Sequence, residues 1–187
     1  MAETTDSLAP GLLLAMPQLL DPNFHHAVIL VTQHDEDGAI GFIVNRPLEV
    51  PVAEVLKELG MKWGGAREAT AWLGGPVTPE SGWVLFEGGP VGDPDTTSEL
   101  DTGLRISPSI DCLRALSAKP PKNMRLLLGY AGWGAGQLEE ELVEGSWMFV
   151  PLSRELVFDT PPERMWVAAY DSLGVDPSSL IPTRGVQ

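Results

Sequence analysis

The sequence predicts an α+β protein, a single domain in which a mixed β-sheet is flanked by short helices. Three observations predict it. Apolar β-branched runs of strand length recur between amphipathic stretches of helix length. Some neighbouring runs are joined as hairpins, while others are separated by a helix. The third observation is scale: at 187 residues with 43% hydrophobic side chains, the chain can bury roughly 70% of its unfolded surface around one core without a disulfide or metal. It has no internal repeat, low-complexity tract or linker, so residues 1–187 are read as one domain with tails at 1–9 and 178–187.

The elements follow in order. "GLLLAMPQLL" is apolar but about half as long as a membrane span needs, and the acidic "MAETTDS" before it lacks the positive start of a signal peptide. The expectation is a cytoplasmic protein without a membrane segment. "HAVILVTQHDEDGAIGFIVNRP" reads as a hairpin, two apolar runs joined by an acidic turn ending in Gly38. Residues 27–31 are apolar on both strand faces, as in a central strand covered on both sides. "PVAEVLKELG" places Val52, Val55, Leu56 and Leu59 on one helical stripe, with Pro51 at its start and Gly60 at its end. "TAWLGGPV" and "GWVLFEGG" give two brief strands around a glycine-proline turn, and residues 93–103 read as a polar, mobile surface loop.

"LRIS" is a strand, followed by a helix with Ser107 as N-cap, Pro108 in its first turn, and the stripe Ile110, Leu113 and Leu116. Cys112 lies beside that stripe as a buried or boundary thiol, and as the lone cysteine it cannot form an internal disulfide. Residues 124–130 form a buried strand, then come a glutamate-rich helix and the strand "WMFVPL". Thr160 and Glu163 are spaced as a capping box for a last helix, whose apolar face is Trp166, Ala169, Tyr170 and Leu173 and which Gly174 ends.

A net charge of −14 opposes nucleic-acid binding and a membrane-surface role. The charge is uneven: residues 105–125 hold Arg105, Arg114, Lys119, Lys122 and Arg125 against Asp111 alone, a window of +4 in a remainder of −18. That window is the candidate for any DNA contact.

"GYAGWGAG", residues 129–136, follows a strand and precedes a helix, the context of a phosphate loop. Its spacing is neither G-x-G-x-x-G nor G-x-x-x-x-G-K-[ST], and Glu139, Glu140 and Glu141 already occupy the positive end of the next helix. The glycines therefore read as backbone packing, through positive φ or close approach. His26 and His34 would stand about 26 Å apart on one strand at about 3.3 Å per residue, too far to share a metal. "HDEDG" lacks the terminal glutamate of a calcium loop, and no serine or histidine spacing supports a nucleophile triad. No cofactor, metal or catalytic residue is assigned.

Taken together, "PGLLLAMPQLLDPNFHHAVILV", "GAIGFIVNRPL", "LGGPV", "LLLGYAGWGAGQLEEEL" and "FDTPPERMWVAAYDSLGVD" resemble the bacterial YqgE/AlgH family from about residue 10 to 177. The matching positions are Asp21, Pro22, Phe24, Gly41, Asn45, Pro47, Gly75, Pro76, Tyr130, Trp133, Gly134, Gln137 and Glu139, with departures at His25 and His26. The resemblance implies a large mixed, partly barrel-like sheet. It supplies no catalytic residues, and its traditional label is a transcriptional regulator of alginate synthesis.

The reading is a non-enzymatic binding or regulatory module that recognises a protein or a small uncharged ligand. Its candidate surface is Asn45, Arg46, Tyr130, Trp133, Gln137 and Glu139. One alternative is a DNA-contacting regulator using the basic window. The other is an enzyme with an unrecognised site built from Asn45, Tyr130 and Glu139.

Overall fold

A computed structural model describes residues 6–181. The protein is α+β: among the described residues there are ten strands and several short helices. Their hydrogen-bonded order is β10 (Trp147–Pro151), β1 (Gly11–Ala15), β2 (Val28–Asp35), β3 (Gly38–Ile43), β9 (Met124–Gly134), β6 (Val77–Glu87), β8 (Leu104–Ser107) and β7 (Ser98–Asp101), with β5 (Thr70–Leu73) pairing β9 off this path and β4 (Pro47–Pro51) pairing β5. β5 pairs in parallel with β9 while β1–β10, β1–β2, β2–β3, β4–β5, β6–β8, β6–β9 and β7–β8 are antiparallel, so the sheet is mixed as expected. That path has two ends and no closing pair, so the sheet is open, not a closed barrel.

The chain divides into two compact units, residues 1–45 with 132–187 and residues 46–131. The first contains β1 (Gly11–Ala15), β2 (Val28–Asp35), β3 (Gly38–Ile43), α3 (Gln137–Val143), β10 (Trp147–Pro151), α4 (Pro162–Ser172) and the end of β9 (Met124–Gly134). β2 and β3 form the expected hairpin, Ile29 opposite Ile43 and Asp35 opposite Gly38. β2 lies between β1 and β3, and Val28 to Val31 are fully buried, as a central strand requires. α4 closes this core by two long-range hydrogen bonds: the Trp166 indole (2.8 Å) and the Tyr170 hydroxyl (3.0 Å) both donate to the Ala15 carbonyl.

The second unit contains β4 (Pro47–Pro51), α1 (Val52–Glu58), β5 (Thr70–Leu73), β6 (Val77–Glu87), β7 (Ser98–Asp101), β8 (Leu104–Ser107), α2 (Ile110–Ala118) and most of β9. Its core gathers Val52 and Leu56 from α1, Val84 and Phe86 from β6, Leu126 from β9, and Cys112, Leu113 and Leu116 from α2. Cys112 is fully buried, and burial pushes its thiol pKa up.

Several local expectations need correction. The N-cap of α2 is Ser109, whose Oγ accepts from the Cys112 N–H at 3.3 Å, whereas Ser107 is buried at the end of β8 and accepts from the Ser109 N–H. Thr160 caps nothing: its hydroxyl donates to the Glu155 carbonyl at 3.1 Å, closing the π-helical turn Glu155–Asp159, and α4 begins without a side-chain cap. The polar 93–103 segment contains the edge strand β7, pinned to β8 through Glu99 opposite Arg105 and by the buried Leu100. The two strands expected around the glycine-proline turn are β5 and β6, but β6 is longer than expected because it begins at Val77. Leu173 and Ile110 were expected on buried stripes and are exposed, because each sits at an end of its helix, past the turn that meets the core. The expected tails at 1–9 and 178–187 lie partly outside the described residues. Within them Ser7 and Leu8 are hydrogen-bonded to His34.

Candidate functional site

β9 carries the candidate residues to opposite faces, because strand side chains alternate with a period of two. Leu127, Ala131 and Trp133 point one way and are buried, while Leu126, Leu128 and Tyr130 point the other and line an open cleft. The separation of three between Tyr130 and Trp133 therefore splits a pair that the sequence groups together.

Trp133 is only 7% exposed. Its indole N–H donates to Glu141 Oε2 at 2.9 Å, and the Trp147 indole donates to the same oxygen at 2.8 Å. Gln137 completes the arrangement, its amide donating to Glu141 Oε1 at 2.9 Å while its own carbonyl oxygen accepts from the Gly134 N–H at 3.0 Å. The Trp133 and Trp147 rings meet edge to face at 6.0 Å, and Phe24 packs on Trp147 at 5.5 Å. One carboxylate thus ends a three-ring cluster, with a charge-assisted acceptor for each indole.

Glu139 and Asn45 make similarly internal contacts. Glu139 Oε1 lies 2.6 Å from His34 Nε2, and the other ring nitrogen, Nδ1, accepts from the Leu8 N–H at 3.0 Å. An amide can only donate, so the ring proton sits on Nε2 and points at the carboxylate. Its own backbone N–H and then the His34 ring hold the Glu139 carboxyl below its usual pKa. Asn45 accepts from the Val28 N–H (3.0 Å) and donates to the His26 carbonyl (2.9 Å), tying the chain ahead of β2 to the end of β3. His26 there has φ 54° and lies between His25 and Trp166, each ring 3.9 Å away, and desolvation followed by the neighbouring His25 lowers its pKa. Arg46 lies in the other unit, half-buried, with its carbonyl accepting from the Leu73 N–H at 2.9 Å.

The cleft lies entirely within residues 46–131 and has a volume of about 490 Å³. Its floor is β6 and β9, with Trp83, Val84, Leu126, Leu128 and Tyr130. One side is Val55 and Glu58 of α1 with Leu59, which caps it; the other is the start of α2, with Ile110 and the buried Leu113. The rim is a bulge. Val77 pairs with Tyr130 and Gly82 with Leu128, so the residues between, including Thr78 with φ 46°, loop out and bring Glu80 and Ser81 to the edge. Two glycines allow this. A Cβ on Gly75 would stand 2.1 Å from the Tyr130 backbone, and one on Gly129, whose φ is +74°, would stand 2.4 Å from the Gly75 carbonyl oxygen. The glycine of "GYAG" is therefore a packing device, fixing β9 against the "LGGPV" turn so that Tyr130 faces the cleft.

The lining predicts what the cleft accepts. Its charged members are Glu58 and Glu80, both acidic, and the rest are aliphatic, aromatic, proline, glycine or hydroxyl-bearing. The five residues of the basic window lie elsewhere in this unit. Arg105 bonds Glu99 (3.0 Å) and the Gly88 carbonyl, and Arg114 bonds Asp111 (3.0 Å). The Arg125 guanidinium sits 4.2 Å from the Trp72 ring centre, where desolvation lowers its pKa, and Lys119 and Lys122 are exposed.

Leu59, Trp83, Ile110, Glu58 and Glu80 are cleft residues that sequence reasoning does not select. One signal was available: the α1 stripe of Val52, Val55, Leu56 and Leu59 is wider than one core contact needs. Val52 and Leu56 are buried in the core, Val55 packs against that core and also lines the cleft, and Leu59 lines the cleft alone.

Comparison with known proteins agrees over the whole architecture. The family model described as AlgH-like matches residues 12–178. A UPF0301 protein of Anaeromyxobacter sp. (strain K) is 42% identical over 181 residues, covering 93% of this chain and 92% of the relative. Another, from Stenotrophomonas maltophilia (strain K279a), is 45% identical over 179 residues, covering 94% of each. The solution structure of the AlgH protein from Pseudomonas aeruginosa superposes with a TM-score of 0.77 at 38% identity, covering all of both chains. A crystal structure from Corynebacterium diphtheriae, at 22% identity and a TM-score of 0.73 over 92% of this chain and 90% of that one, shares the fold. With a model match across nearly every element and relatives well above 30% identity at nearly full length, the chain belongs to the AlgH-like family.

Proposed function

We propose that this protein is a non-enzymatic binding module of regulatory type whose recognition surface is the cleft of residues 46–131, with Tyr130 on its floor. The observation that carries this is the lining: about 490 Å³ walled by aliphatic and aromatic side chains, within the size and apolar character of ligand sites. Leu59 and Ile110 stand 45% and 51% exposed at its edges, so the apolar lining continues to the surface, where a partner can reach it. Trp133, Gln137, Glu139 and Asn45 act as scaffold in this reading, because their polar atoms bond within their own unit. The single cysteine is buried and has no partner for an internal disulfide, which suits a site of action in the reducing cytoplasm. Among the described residues no helix is long and apolar enough to cross a membrane.

Titration with Nile red, an uncharged apolar dye, tests the reading. The emission should rise on the folded protein and fail to rise with Ile110→Asp or Leu59→Asp, exposed substitutions that leave the fold intact. A dye signal absent from the parent chain, or indifferent to both substitutions, would refute it.

A further inference from the structure

Resting on that reading, we infer that the occupant of the cleft is a basic amphipathic helix of a protein partner. Three features of the same unit select it.

The first is shape. The cleft is lined by strands β6 and β9 and by residues of two helices: Val55 of α1 and Leu59, which caps α1, stand four apart, and α2 contributes Ile110 above the buried Leu113. The Val55 and Leu59 pair, one helical turn apart, matches the i, i+3, i+4 side chains of an incoming helix, and Ile110 adds a further apolar contact. The second is the rim. Leu59 and Ile110 are about half exposed although they border an apolar cavity. A small ligand held inside would leave them wet, whereas a helix lying along the trough covers both. The third is charge. Glu58 on the α1 wall and Glu80 on the bulge are the only charged groups in the lining, and no lysine, arginine or histidine is among them. A partner with lysines or arginines beside its apolar stripe gains both contacts, while one bearing carboxylates is repelled.

The position of Glu80 is itself built. The bulge that carries it is held by the Ser81 hydroxyl donating to the Thr78 carbonyl at 2.8 Å, and Thr78 adopts a left-handed φ of 46° that a β-branched residue seldom accepts. The bulge thus fixes an acid at the mouth of the cleft.

The experiment uses the full chain and two fluorescein-labelled helical peptides of about four turns, one with a leucine stripe and lysines, the other with the same stripe and glutamates. By anisotropy, the lysine peptide should bind and the glutamate peptide should not. Replacing both rim acids (Glu58→Gln with Glu80→Gln) should weaken binding about tenfold. The same charge change outside the lining, Glu68→Gln with Asp95→Asn, should have less than a twofold effect, which separates site-specific contact from attraction to a chain of net charge −14. Ile110→Asp should abolish peptide and dye binding together. Equal loss in the two charge variants, or lysine-peptide binding that survives Ile110→Asp, overturns the inference. Nile red binding that depends on Ile110 without any binding of the lysine peptide leaves the cleft as a site but removes the helix as its occupant. Failure of dye and peptide alike removes both.

Discussion

Trp133 and Tyr130 lie three residues apart on one strand and do opposite work. The Trp133 ring is enclosed, its indole N–H bonded to Glu141 and its edge packed against Trp147. Tyr130 is half-buried and looks into an open trough whose polar rim belongs to other elements. The lesson is that an aromatic residue in a glycine-rich motif is assigned by where its polar atom goes and what its face meets. A satisfied indole inside a three-ring cluster specifies the fold. An aromatic face on the floor of an apolar cleft is available for recognition. The segment "GYAGWGAGQLE" thus contains a structural half and the half we propose for recognition.

The most direct way to break the comparison is Trp133→Ala. Removing a large buried ring typically costs about 3–5 kcal/mol, and here it also strips one of two donors from the Glu141 oxygen. Urea unfolding should show a loss of that size, and a variant of unchanged stability would mean that Trp133 is not scaffold. A second, somewhat smaller effect should appear on the alkaline side. Burial pushes the Tyr170 phenol up to about 12, above its ordinary value near 10. The folded state therefore keeps a proton that the unfolded chain gives up. Its contribution is fully present below about pH 10 and is lost as pH rises towards about 12, on the order of 2–3 kcal/mol. Tyr170→Phe should flatten that alkaline slope at some cost at neutral pH, since it also removes the hydrogen bond to the Ala15 carbonyl. A parent chain whose stability is flat from pH 9 to 12 would contradict the burial assigned to α4.

The structural half was far more legible in the sequence than the recognition half, for a physical reason. Hairpin turns, the central strand at 27–31 and the helix-ending glycines are encoded by short-range patterns, and they stand where expected. Caps were harder. "SPS" offers two serines, and the choice of Ser109 over Ser107 depends on Ser107 ending β8. Thr160 matched a capping box, but its hydroxyl bonds backwards to the Glu155 carbonyl of the preceding π-helical turn. β7 was hidden by its polar composition, since an edge strand with one buried leucine shows little alternation. The cleft was harder still: Leu59, Trp83, Ile110 and Tyr130 converge from four elements, and no local pattern announces a non-local surface. Of the site residues named from sequence, Tyr130 lines the cleft, while Asn45, Trp133, Gln137 and Glu139 make hydrogen bonds inside the other unit.

A sharper test of the structural half is Glu141→Gln, a change of one atom. The two indoles need an oxygen at the Oε2 position, so the glutamine must turn its amide nitrogen towards the Gln137 Nε2 donor. Gln137 cannot simply rotate, because its oxygen already accepts from the Gly134 N–H. Two donors then face one another, and two charge-assisted bonds become neutral. The expected cost is about 1–2 kcal/mol. Glu140→Gln, the same change one residue earlier on an exposed position, should cost less than about 0.5 kcal/mol. Equal effects would show that Glu141 is an ordinary surface acid.

The smallest expected change in stability belongs to the recognition half, and its smallness is the point. Ile110 opens α2 and is about half exposed. Aspartate there gives up little buried apolar area and places a negative charge at the start of the helix, where the dipole favours it. The two terms nearly cancel, so thermal unfolding of Ile110→Asp should match the parent within about 0.5 kcal/mol. If the same substitution removes dye binding, the loss cannot be blamed on unfolding, and Ile110 is a contact residue. If stability falls by as much as for Trp133→Ala, Ile110 belongs to the core after all and the division of β9 into a structural face and a recognition face fails.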